Sequence, residues 1–240
     1  MFNDKVYFEK INGKNVFCDY SEADNSQNKI VIMSHGFRGT NVGPARQFLD
    51  FQRILNKEGF SVLRFDQTNG GNSEGDYLDT SFNEWVNTIV YFADKYLKDG
   101  YEVNLLGQSM GASATIAATS NPLVKNRIPC ILLWVPDPET DFSGNPEEIL
   151  EEGGQMYRNS FWQEAKDSNI FQCLNDYQGK IHLVYGEVDR YVSKELMDKT
   201  IKIVKDKKQE VMILKGQDHS PWKYDLVQEV YKQELVKLRE

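Results

Sequence analysis

In the stretch NLLGQSMGASA a serine, Ser109, stands between two glycines, Gly107 two residues before it and Gly111 two residues after. The run 103–106 ahead of it is apolar but for Asn104, and the residues from Met110 onward are small and helix-forming. A chain that turns sharply from strand into helix crowds the neighbours of the turn residue. Small residues on either side relieve that crowding, and the serine hydroxyl projects from the tip. A helix beginning there aims N–H groups at the same point, which favours a developing negative charge. Ser109 is therefore a candidate nucleophile. The competing reading is an ordinary strand-to-helix turn, where Gly and Ser are common, and other residues must decide between them.

A serine hydroxyl needs a base to take its proton, and the base needs a third group to orient it. The chain holds three histidines. His182 alternates with Leu183 and Tyr185 inside KIHLVYG and reads as structural, while His35 precedes Gly36 straight after an apolar run and reads as a brace for that loop. His219 lies in KGQDHSPW, after the last strand candidate and before the last helix candidate. Loops that follow the C-terminal ends of parallel strands share one sheet edge, where ligands bind. Ser109 and His219 are both expected there. LVYGEVDRYV offers Glu187 and Asp189 at the same edge. Asp189 is the better acid, because one further step into the loop gives more reach toward the histidine. Asp218, adjacent to His219, is expected to point away from it. The chain order Ser, Asp, His suits a sheet of this kind.

A tetrahedral intermediate needs two N–H donors for its oxyanion. One comes from the residue after the nucleophile, here Met110. The other is expected from HGFRG, where Gly36 lets the backbone turn so that the Phe37 N–H faces the site.

The elements that must position these groups follow from pattern. KVYFEKINGKNVFCDY reads as two strands joined at Asn12-Gly13, a strong two-residue hairpin signal. NKIVIMS, FSVLRFD, EVNLLG, PCILLWV, KIHLVYG and EVMILKG are further strands, with helices expected over 43–57, from Ser81 to about Leu97, over MGASATIAATS, from about Ser193, and at the C-terminus. In the second of these helices Ser81 and Glu84 form a capping box, and Phe82, Trp85, Ile89, Phe92 and Tyr96 recur at three- and four-residue steps. Apolar strands alternating with helices predict an α/β fold, a mostly parallel sheet covered on both faces. The N-terminal hairpin adds antiparallel strands at one edge.

One segment breaks this rhythm. About residues 139–178 hold no strand candidate and are acidic, aromatic and expected to be helical, with Gly153-Gly154 as a break. The segment is too short for a domain and too long for a plain crossover, so it reads as a cap inserted into one domain spanning 1–240. Its Phe142, Met156, Tyr157, Phe161 and Trp162 either bind an apolar or aromatic group or merely seat the cap on the body.

Composition bounds the function. The 240 residues carry a net charge of −8, with 40% hydrophobic and 27% charged residues. No basic cluster suits a phosphate backbone, so nucleic acid is not an expected partner. KIVKDKKQE, the densest basic run, reads as a solvated helix end. No apolar run approaches the roughly 20 residues of a membrane span. The N-terminus has no signal-peptide pattern, and Cys18, Cys130 and Cys173 are scattered without metal-ligand spacing, so the expected compartment is the cytoplasm.

HGFRG, RFDQTNGGNSEG, GQSMG, GEVDRYV and GQDH together resemble the consecutive site motifs of the α/β-hydrolase superfamily, over nearly the whole chain. Within it the chain is most similar to small bacterial carboxylesterases of the cinnamoyl (feruloyl) esterase-like and monoacylglycerol-lipase-like kinds. The resemblance implies a metal-free serine esterase without cofactor and a small cap after the sixth strand. It also implies nucleophile Ser109, acid Asp189, base His219 and oxyanion donors Phe37 and Met110. TNGGNSEG departs from the commoner pattern by carrying Gly70 where a histidine often stands. The expected partner is a small-molecule ester, and the reading leaves room for a homodimer. A peptidase or thioesterase with the same triad is a rival, as is a non-catalytic ligand-binding protein on this scaffold.

Overall fold

The structure, a computed structural model, describes residues 4–25, 27–138 and 142–240. Its frame is an eight-stranded sheet. Strands β1 (Asp4–Ile11) and β2 (Lys14–Ser21) form the hairpin. Asn12 and Gly13 take φ of 49° and 87°, the paired left-handed conformation that a two-residue hairpin turn requires.

The rest follows in alternation: β3 (Lys29–Ser34), α1 (Gln47–Lys57), β4 (Phe60–Phe65), α2 (Phe82–Lys98), β5 (Glu102–Gln108), α3 (Met110–Ala118) and β6 (Cys130–Trp134). An insertion carries β7 (Ile149–Glu152), β8 (Gln155–Arg158), α4 (Ser160–Asp167) and α5 (Ile170–Asp176). The main frame then resumes with β9 (Lys180–Gly186), α6 (Lys194–Asp206), β10 (Glu210–Leu214) and α7 (Tyr224–Arg239).

Sheet order is β1-β2-β4-β3-β5-β6-β9-β10, with the β1–β2 and β2–β4 pairings antiparallel and every pairing from β4 onward parallel. The central strands are buried along nearly their whole length, as helices on both faces demand. From β3 the chain steps outward to β4, then returns past β3 to β5. The order therefore reverses between β3 and β5, and a crevice opens beyond their C-terminal ends.

Three local expectations change. The first concerns the inserted segment. It is not wholly helical: β7 and β8 pair antiparallel, and Gly153 and Gly154, at φ of 59° and 81°, make the hairpin turn instead of a helix break. Two glycines between two short runs are themselves a hairpin signal. The second concerns residues 43–57, where regular helix begins only at Gln47, because Ala45 and Arg46 hold left-handed φ of 46° and 67° within a short turn at Pro44–Arg46. The third concerns the capping box, which closes on one side only. Ser81 Oγ accepts from Glu84 N at 3.2 Å, but the Glu84 carboxylate turns to Lys14 Nζ and Asn69 Nδ2. A charged amine attracts it more than a neutral amide.

Cys18 and Cys130 are buried free thiols and Cys173 is half-buried and free. Among the described residues no helix is long and apolar enough to cross a membrane.

Candidate active site

Ser109 sits at the end of β5 with φ 55° and ψ −129°, a strained conformation for a residue with a side chain. The two glycines around it are explained by approach distances. A Cβ on Gly107 would lie 2.4 Å from Ala112 Cα, and one on Gly111 would lie 2.3 Å from the His35 carbonyl oxygen. Without them α3 could not pack against both β5 and the end of β3. Small residues throughout α3 serve the same end, since every one of its side chains is buried.

The loops after β5, β9 and β10 bring three side chains together. His219 Nδ1 lies 2.8 Å from Asp189 Oδ2, and His219 Nε2 lies 2.8 Å from Ser109 Oγ. An ionised Asp189 only accepts, so Nδ1 carries the proton and donates it, and Nε2 is left with a lone pair to accept from the Ser109 hydroxyl. The Asp189 side chain is fully buried, and its Oδ1 accepts from the Tyr191 and Val192 backbone N–H groups at 2.9 and 3.0 Å.

The two other acids lie outside this chain of contacts. Glu187 Oε2 accepts from Gly216 N at 2.8 Å. Asp218 accepts from its neighbour's backbone, His219 N, at 2.8 Å, and pairs with Arg190. Those backbone and guanidinium donors hold its carboxyl below the usual range.

Phe37 and Met110 both line the cavity beside Ser109, Phe37 from the loop after β3 and Met110 from the first turn of α3. That loop is braced from several sides. His35 is fully buried: its Nδ1 faces Gly36 O at 2.8 Å, and its Nε2 accepts from Gln67 N at 3.0 Å. Burial pushes its pKa down, so the ring is neutral and serves as a strut. Asp66, also buried, accepts from Asn41 N and Nδ2 on one side and from Asn72 N on the other. His182, the third histidine, lies near the N-terminal start of β9, away from the site, against Glu234 of α7.

Gln108 has no counterpart among the sequence-based candidates. Its Oε1 accepts from Gly36 N at 3.0 Å and its Nε2 donates to Ser220 Oγ at 3.2 Å, tying the loop after β3 to the loop that carries His219. Its only sequence signal is its place immediately before the serine.

The cavity holds about 570 Å³. Of the five aromatic and sulfur-bearing residues expected from the insertion, Trp162 lines it. Phe161 is wholly buried against Phe82 and Trp85, and Tyr157 is buried against Phe37. Met156 is 53% exposed, and Phe142 is half-buried with its carbonyl accepting from Lys166 Nζ. Four of the five thus lie outside the cavity wall, and Tyr157 and Phe161 seat the insertion. The Phe37 ring is the centre of that seat, with centroids of Tyr157, Phe161 and Trp162 at 4.9, 4.8 and 4.8 Å. Arg38, Glu152 and Tyr191 also line the cavity, and Arg38 pairs with Glu152 across the insertion's hairpin.

No protein-family model matches this chain, and no curated protein matches it. Solved structures do. Est1E from Butyrivibrio proteoclasticus, with ferulic acid bound, is 19% identical over 98% of this chain and 100% of that one, with a TM-score of 0.83. The α/β hydrolase GrgF from Penicillium sp. sh18 is 17% identical over 100% and 98%, at 0.80. A monoacylglycerol lipase from Paleococcus ferrophilus is 15% identical over 97% and 99%, at 0.72. Such low identities speak for the shape of the chain alone.

Proposed function

Starting from the α/β-hydrolase fold that this chain has, we propose that it is a serine hydrolase cleaving small-molecule carboxylic esters. The observation that carries the reading is the continuous relay from Asp189 through His219 to Ser109, with both links at 2.8 Å.

In this reading Ser109 Oγ attacks the ester carbonyl carbon while His219 Nε2 takes its proton. Asp189 fixes the tautomer and stabilises the imidazolium. The carbonyl oxygen becomes an oxyanion and accepts from the Phe37 and Met110 N–H groups, each such donor being worth about 10²–10³ in turnover. The C–O bond to the alcohol then breaks, and the leaving oxygen takes the proton from Nε2. Water repeats the sequence on the acyl-enzyme, releasing the acid and restoring the serine.

An apolar or aromatic acyl group suits the wall formed by Trp162 and Phe37. That preference agrees with ferulic acid in Est1E, the solved structure of highest TM-score cited above.

The test is covalent labelling with a fluorophosphonate, followed by peptide mapping. Label on Ser109, its loss in Ser109→Ala, and a drop in ester turnover on the order of 10⁶ support the reading. Retained turnover above about one percent in that variant sinks it. A panel of esters, acyl-CoA thioesters and aminoacyl anilides run side by side separates esterase from thioesterase and peptidase.

A further inference from the structure

One wall of the cavity is explained by neither the Ser109 relay nor the aromatic seat of the insertion. Tyr191 stands there, its ring centroid 5.1 Å from that of His219 and tilted by 56°. It is 67% exposed, so it contributes little to packing. Yet it is held in place. Its own N–H donates to the buried Asp189 carboxylate, as does the N–H of Val192, whose side chain is buried. A large ring fixed in water at the mouth of a cavity forgoes its burial energy until a ligand covers it.

Its position decides which part of a ligand that is. In acyl transfer the proton on Nε2 goes to the leaving oxygen, so the alcohol portion of the ester departs alongside the histidine ring. Tyr191 flanks that ring from the loop that supplies Asp189. Trp162 packs instead on Phe37, from the loop after β3. The two rings therefore line the cavity from different elements, Trp162 from α4 and Tyr191 from the loop after β9, and face different ends of a bound ester.

Building on the ester-hydrolase reading of the site, we propose that Tyr191 is its alcohol-side specificity residue. Its exposed face covers an apolar or aromatic alcohol, so aryl-methyl and longer alkyl esters are preferred over methyl esters of the same acid.

The experiment uses the full chain and two ester series. One holds the acyl group at butyryl and varies the alcohol through methyl, hexyl, benzyl and naphthylmethyl. The other holds the alcohol at methyl and varies the acyl group. Tyr191→Ala is expected to lower kcat/KM for benzyl and naphthylmethyl butyrate roughly tenfold, mainly through KM, and to leave methyl butyrate and the acyl series unchanged. Tyr191→Phe should restore the wild-type pattern, since the ring face and not the hydroxyl makes the contact. The melting temperature should stay at the wild-type value in both variants, because the ring is not packed.

An equal loss across all alcohols overturns the proposal and makes Tyr191 a support for His219. A loss that follows the acyl series overturns it as well. Wild-type protein that turns over both series, with a flat ratio to Tyr191→Ala, removes the proposal alone. Wild-type protein that turns over no ester removes the hydrolase reading along with it.

Discussion

Asp189 gives one carboxylate oxygen to His219 and the other to its own loop. Oδ2 faces His219 Nδ1 at 2.8 Å, and Oδ1 accepts the amides of Tyr191 and Val192. Every one of these partners donates. In Asp189→Asn the new NH₂ group must meet either the imidazole, favouring the wrong tautomer, or two backbone N–H groups. Turnover of an ester substrate should fall by roughly 10⁴. Glu187→Gln, at an exposed bond to Gly216, should change it by no more than a few-fold. Steady-state kinetics of both variants check the assignment, and the reverse ranking contradicts it.

Gly111 sets the distance between α3 and β3. An added Cβ would lie 2.3 Å from the His35 oxygen and 2.4 Å from the Ser34 oxygen, both backbone atoms with little room to yield. Gly111→Ala should lower unfolding free energy by about 1–3 kcal/mol and shift Met110 away from Ser109. Gly70→Ala makes the control, since its nearest neighbour would be 3.5 Å away. Urea unfolding midpoints measure both, and equal midpoints for the two variants count against this account of the glycine.

A pH dependence of stability follows from His182, whose side chain is 3% exposed and lies 3.0 Å from Glu234 Oε2. The imidazole N–H is not aimed along that line, so the contact is one of charge more than a formed hydrogen bond. Burial disfavours the imidazolium, but the nearby Glu234 carboxylate outweighs it, and the pKa lies above the ordinary value. The folded state therefore holds this proton more tightly than the unfolded chain. The contribution is complete below about pH 6.5 and is lost as pH rises through the folded value. The stability difference between wild type and His182→Gln should accordingly shift against the wild type as pH increases over that window. Urea unfolding at successive pH values reads it, and a difference that stays constant rules the linkage out.

Trp162 and Phe161 are neighbours with opposite expected behaviour. Phe161 is wholly buried, so Phe161→Ala should lose about 3–5 kcal/mol of stability and depress all substrates together. Trp162 lines the cavity. Its removal should weaken bulky or aromatic acyl esters selectively, at about 0.8 kcal/mol per methylene no longer covered. Acetate esters should change little. Melting temperature beside an acyl series from acetyl to octanoyl and cinnamoyl distinguishes the two, and a uniform loss with a lowered melting point for Trp162→Ala would assign it to the seat.

The sequence carries most of what is local. Asn12-Gly13, the buried apolar runs and the strand-to-helix turn at Ser109 all follow from rules spanning a few residues, and they locate the three loops that meet at the crevice. The β7–β8 hairpin escapes because each strand is only four residues long and β7 ends on two glutamates, so period-two alternation has no room to show. Gln108 and Tyr191 escape for another reason. Each acts through partners distant in sequence, Gly36 and Ser220 for one and His219 for the other, and nothing periodic marks a single side chain. The insertion's aromatics show the same limit, since composition cannot tell a ring in the wall from a ring beneath it.

Phe37 joins two jobs in one residue. Its amide is the proposed oxyanion donor, while its ring is wedged among Tyr77, Tyr157, Phe161 and Trp162. On the proposed mechanism, replacing the insertion to change substrate preference would therefore disturb the Phe37 donor. That mechanism couples selectivity to turnover, and useful variants should come as paired changes, one in the insertion and one in the loop after β3.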